Sequence, residues 1–156
     1  MGNWHFVITY TLDYKQWLAA QGYPSPSVQN DNREPTTGDV LRALAAYPSL
    51  TVKIQSPYLE ASEHDSPYYA LLIEGFDWGN ESALPRYFAM RGDPRWEVKL
   101  TRNLCEQCGQ LVIVPDSGES SVILDTQINL EHVADVWLKA LQEQDTWESV
   151  YGQLYS

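Results

Sequence analysis

The strongest constraint on the fold is the length of the apolar runs. None approaches the roughly 18 residues of a membrane helix. The longest, such as Ala70-Leu71-Leu72-Ile73 and Leu111-Val112-Ile113-Val114, have the length of single strands. Between them lie stretches whose apolar residues recur at helical spacing, so the chain must bury short strands against amphipathic helices. The β-branched and aromatic run of residues 4–12 reads as a strand, followed by a short helix that Asp13 caps and Gly22 stops. Residues 23–36, rich in Pro, Ser, Asn and Asp, read as a long exposed loop. Thr37 caps a helix over residues 38–47, which Pro48 ends. Residues 51–56 and 68–76 read as strands around a polar loop at 56–67, and 87–91 reads as a further short strand.

Residues 95–108 fit two readings. Glu97 to Thr101 alternates as a strand does. The wider window places Trp96, Leu100, Leu104 and Cys108 on one arc of a helix, with Asp93-Pro94 as its start and Gly109 as its stop. The helix is preferred. Residues 111–115 and 121–126 form a hairpin, and one long amphipathic helix runs from Asn129 to about Tyr151. The order is β-α-β-β twice. The expected fold is a single α+β domain over residues 1–156: a mixed or antiparallel sheet from two β-α-β-β halves, with helices mainly on one face and a long C-terminal helix.

Charge narrows the function. Twenty-one acids against ten bases give a net charge of −11, which repels phosphate backbones and anionic lipid, so neither nucleic acid nor a membrane is expected as partner. The first residues have no basic region, apolar core or cleavage site of a secretory signal, and Phe6 stands where a myristoylation pattern needs Ser or Thr. A bacterial cytoplasmic protein is the default expectation.

The charge is uneven. Residues 1–53 are net neutral. Residues 54–85 hold six acids and no Lys or Arg, residues 86–102 are net +3, and residues 103–156 are net −8. The first acidic tract carries Tyr58, Glu60, Glu63, Asp65, Tyr68, Asp77, Trp78 and Glu81. Aromatic anchors among carboxylates are the composition of a face that captures a positively charged protein, and these eight are the candidate partner-binding residues. On the helical reading, Arg95, Lys99 and Arg102 form one stripe. With Arg91 they make an alternative small anion site.

Catalytic chemistry finds little support. The sequence has no G-x-S-x-G elbow and neither glycine-rich phosphate loop. Cys105 and Cys108 form one CxxC without the second pair of a zinc site. They fall at a helix C-terminus, where the dipole disfavours a thiolate, so buried inert thiols are expected. No catalytic residue, metal ligand or cofactor is assigned. Glu97, on the apolar arc, is read first as an acid exposed in a first turn or as an artefact of the helical reading, since on a strand it would point outward, and otherwise as a functional acid or the partner of a buried Arg. The leading expectation is a non-enzymatic protein-binding module, most specifically an immunity or antitoxin protein that docks a basic toxin or another basic partner. The alternative is a small-molecule or enzymatic domain with its anion pocket at residues 86–102. The oligomeric state is left open.

Overall fold

The structure, a computed structural model, describes residues 3–143 and 145–156. Seven strands form one antiparallel sheet: β1 His5–Thr9, β2 Leu50–Gln55, β3 Tyr58–Glu63, β4 Leu71–Glu74, β5 Phe88–Gly92, β6 Leu111–Pro115 and β7 Val122–Leu124. Five helices accompany it: α1 Leu12–Ala20, α2 Thr37–Ala45, α3 Pro94–Cys108, α4 Leu130–Glu143 and α5 Trp147–Tyr155. The strand order is β2-β3-β4-β5-β1-β6-β7. The α+β class and the antiparallel sheet are as the sequence predicts.

The twofold β-α-β-β pattern does not carry over. The first half contains two helices and an additional strand, and β5 sits between β4 and β1 in the sheet. The additional strand is β3, which lies in the segment expected to be a polar loop. Its alternation is weak in sequence, because only Leu59 and Ala61 turn inward. The predicted long C-terminal helix is two helices. Thr146 breaks it by accepting the Ser149 N–H and so capping α5. Two predicted caps also move by one or two residues: Thr11 caps α1, and Thr36 caps α2 in a reciprocal box with Asp39. The 23–36 loop is held down along its length. Tyr10 donates its hydroxyl to the Pro26 carbonyl at 2.8 Å, and Gln110 donates to the Ser27 carbonyl at 2.8 Å.

The period of two along each strand divides the core. Val7, Leu59, Leu71, Ile73, Phe88, Met90, Leu111, Ile113, Val122 and Leu124 share one cluster with residues of α2, α3 and α4. Val112 and Ile123 point the other way and pack with Leu18 of α1 and Val150 and Tyr151 of α5. Three helices therefore cover one face, and two cover the β6–β7 end of the other.

Two consequences position the functional surface. Antiparallel pairing sends successive loops to opposite ends of the sheet. One end collects the β3–β4, β5–α3 and β6–β7 loops. The α4–α5 junction joins them there, as the Trp137 and Trp147 indoles donate to the Ser120 and Gly118 carbonyls of the β6–β7 loop. The other end carries the long β4–β5 connection, which docks on the start of α2 through Gly38 N–H to the Glu81 carbonyl and Thr37 hydroxyl to the Asp77 carbonyl.

Candidate functional site: an acidic end of the sheet

The topology divides the eight residues singled out in sequence. Glu63, Asp65 and Tyr68 lie at the end that holds the β3–β4 loop. Asp77, Trp78 and Glu81 lie at the opposite end. Tyr58 and Glu60 belong to the body of β3 and alternate with buried Leu59, so they face the sheet side away from α2 and α3. Trp78 does not serve as an anchor: it is 7% exposed, and its indole N–H donates to the Pro57 carbonyl at 3.0 Å. The eight form no common face, because strands that pair antiparallel carry their two flanking loops away from each other.

The end with Glu63 gains acids that the reading along the chain kept apart. Glu63 and Asp65 arrive from β3 and its loop, Asp93 from the start of α3, Asp116 and Glu119 from the β6–β7 loop, and Glu143 and Asp145 from the α4–α5 junction. Among the described residues, three bases lie near these seven carboxylates: Arg95 in the first turn of α3, Lys99 over the Trp96 ring beside Glu63, and Lys139, which approaches Glu143 at 4.0 Å. The second acidic tract thus contributes through its loops and helix ends, and it meets part of the first one in space.

At this end lies a small pocket of about 130 Å³ lined by Glu63, Ser66, Tyr68, Tyr69, Ala70, Asp93 and Trp96. Its walls are aromatic and its charged groups are two carboxylates. Trp96 is 6% exposed, and its indole N–H donates to Glu63 Oε1 at 2.7 Å. The ammonium of Lys99 sits 4.3 Å from the Trp96 ring centroid, so that ring already attracts a cation. Asp93 caps α3, its Oδ1 accepting the Arg95 N–H at 2.9 Å. Tyr68 is 79% exposed at the rim. Asp93 also borders a groove of about 630 Å³ between the first turn of α3 and the exposed stripe of α4. Two of the sequence candidates, Glu63 and Tyr68, are therefore brought together. Asp93 and Trp96 were missed, because a helix cap and a core-facing Trp look structural until β3 is placed beside them.

The basic stripe does not converge. Arg91 alternates with buried Met90 on β5 and so points to the sheet face opposite α3. Lys99 rests on Trp96. Arg102 binds Glu106 at 2.9 Å and the Thr126 carbonyl at 2.6 Å. Arg95 is left to line the groove with three carboxylates, Asp93, Glu131 and Asp135.

Glu97 is fully buried, against the expectation of first-turn exposure, and its partner is His5 Nδ1 rather than an Arg. Trp137 packs edge-on against the His5 ring at 5.6 Å. Burial raises the Glu97 carboxyl above its ordinary value, and the His5 contact opposes that rise. Burial also pushes the Cys105 thiol up to about 12 and that of Cys108 to about 11, so both are protonated at neutral pH. Among the described residues no cluster of His, Cys, Asp and Glu is arranged to hold a metal ion, and no helix is long and apolar enough to cross a membrane.

No protein-family model, curated protein or solved structure matches this chain.

Proposed function

We propose that this chain is a non-enzymatic docking module that binds a basic protein through the acidic end of its sheet. The most specific form of the reading is an immunity or antitoxin protein for a basic toxin domain such as a nuclease. The convergence of seven carboxylates from four separate segments on one end carries the reading. Carboxylates that crowd one surface repel each other and weaken the compact state, which is a cost that binding a complementary positive surface offsets. A nuclease site is positive because it binds phosphates, so an acidic end with aromatic walls suits its occlusion. Complementary charge also speeds encounter.

The test is to express the full chain with the product of the gene beside its own, where that product is basic, and to look for a complex between the two. A 1:1 complex is expected, weakening at least roughly tenfold between about 0.05 and 0.3 M salt as the Debye length shortens. The triple variant Asp116→Lys, Glu119→Lys and Glu143→Lys is expected to abolish it. A complex that ignores both salt and the three reversals, or the absence of any complex, overturns the proposal.

A further inference from the structure

We infer that the Glu63–Tyr68–Asp93–Trp96 pocket is the subsite in which the partner's anchoring side chain sits, and that this side chain is an arginine. The inference rests on the docking reading and names the chemistry of its central contact.

Size decides the class of occupant. Ligand pockets run to roughly 300–1,000 Å³, and about 130 Å³ admits one side-chain head. Charge decides its sign. The pocket holds Glu63 and Asp93 and no Lys or Arg in its lining. Each carboxylate has one oxygen committed, Glu63 Oε1 to the Trp96 indole and Asp93 Oδ1 to the Arg95 N–H. The second oxygen of each is not engaged by any described residue, so two acceptors on different elements remain for an incoming donor.

That arrangement favours guanidinium over ammonium. A guanidinium presents donors on two edges of a rigid plane and serves two separated acceptors at once. It is also weakly hydrated and stacks on aromatic faces, which Tyr68 and Tyr69 supply here. An ammonium is a compact, strongly hydrated point charge, and it gains less from that plane. Lys99 lies over the Trp96 ring at 4.3 Å, so this ring takes part in a cation contact already, and the stacking faces for the incoming guanidinium are those of Tyr68 and Tyr69. Tyr68 stands 79% exposed at the rim, where contact with a bound head group would cover it and help exclude water from the contact.

The test uses hexa-arginine and hexa-lysine peptides of equal charge with the full chain at low salt. Affinity is measured by calorimetry, and the Trp96 indole N–H signal is followed by NMR, assigned by its loss in Trp96→Phe. Hexa-arginine is expected to bind about tenfold more tightly than hexa-lysine and to shift the Trp96 signal. Tyr68→Ala, and separately the pair Glu63→Gln with Asp93→Asn, are expected to bring hexa-arginine down to the hexa-lysine affinity. Asn retains the oxygen that caps α3, so the fold is kept, which an unchanged melting temperature verifies. Glu148→Gln, on the exposed first turn of α5, is expected to change binding less than about twofold.

Equal affinity for the two peptides, an unmoved Trp96 signal, or an equal response to Glu148→Gln overturns the arginine subsite. The docking reading has its own readout. If the basic partner still binds and the three lysine reversals still abolish it, only the subsite falls. If hexa-arginine binds as described while the reversals leave the partner complex untouched, the docking surface falls and the subsite stands.

Discussion

His5 and Glu97 show what a buried pair does at the scale of single residues. Both lie in the core, and Glu97 keeps one carboxylate oxygen without a hydrogen bond among the described residues. Removing one member of a buried pair strands the other and costs about 3–5 kcal/mol, whereas replacing both by apolar groups is near neutral. His5→Phe and Glu97→Leu are each expected to cost about 3 kcal/mol in urea unfolding, and the double variant to recover most of the loss. The pH sign follows from the raised Glu97 value. A carboxyl with a raised folded pKa favours folding while protonated, and that contribution is lost as pH rises through the folded value. In His5→Phe, stability is therefore expected to fall as pH rises above about 4.3, more steeply than in the parent. A flat profile would mean that Glu97 finds another partner.

Asp39 has the opposite sign. Burial raises its pKa, but Arg33 at 2.7 Å, the Thr36 backbone N–H at 2.9 Å and Arg42 at 2.8 Å outweigh burial and hold it well below the usual carboxylate range. Its contribution is present above the unfolded value of about 3.9 and lost as pH falls through the folded one. Both arginines are largely solvated, so their share is discounted, and the capping box carries much of the effect. Asp39→Ala, which removes the box acceptor as well as the ion pairs, is expected to cost about 2 kcal/mol at pH 7, and the gap from the parent is expected to shrink below about pH 4 when both are unfolded by urea.

At the scale of elements, legibility followed local chemistry. Helix α3 was readable because Asp93-Pro94 and Gly109 bound an amphipathic run, and the structure places its ends there. Strand β3 was unreadable because Glu, Ser and Tyr alternate with only two apolar residues, and its pairing on both sides comes from β2 and β4. The break before α5 hinged on the Thr146 side chain, which pattern alone did not distinguish from a polar face. The site was half readable for the same reason. Glu63 and Tyr68 stand out in a tract of acids and aromatics, while Asp93 and Trp96 join them only through tertiary packing. The β4–β5 connection gives this level its own prediction. Gly75 has φ +109°, and a Cβ there would lie 1.4 Å from the Tyr87 carbonyl oxygen. Gly75→Ala is expected to cost about 3 kcal/mol or more, since both the backbone strain and a clash with main chain must be relieved. Thermal unfolding reads this directly, and a loss under about 1 kcal/mol would show that the connection shifts freely.

For the molecule as a whole, the charge of −11 matters through its placement. A chain that spread its acids evenly would gain solubility from them at little cost to the fold. This one sets seven at one end of the sheet, where β3, β5 and β6 all terminate. If that end serves binding, relieving it stabilises the fold and removes the function together. The reversals Asp116→Lys, Glu119→Lys and Glu143→Lys are therefore expected to raise stability in low salt by about 0.5 kcal/mol in total, the relief of crowding exceeding the loss of the Lys139–Glu143 approach and of the Ser117–Glu119 hydrogen bond. The gain is expected to vanish near 1 M salt, where the Debye length is about 3 Å. Parallel urea titrations at the two salt concentrations measure it, alongside loss of the basic partner. A triple variant that is less stable than the parent in low salt would mean that these carboxylates make favourable contacts within the fold, and the crowding argument for a docking surface would fail.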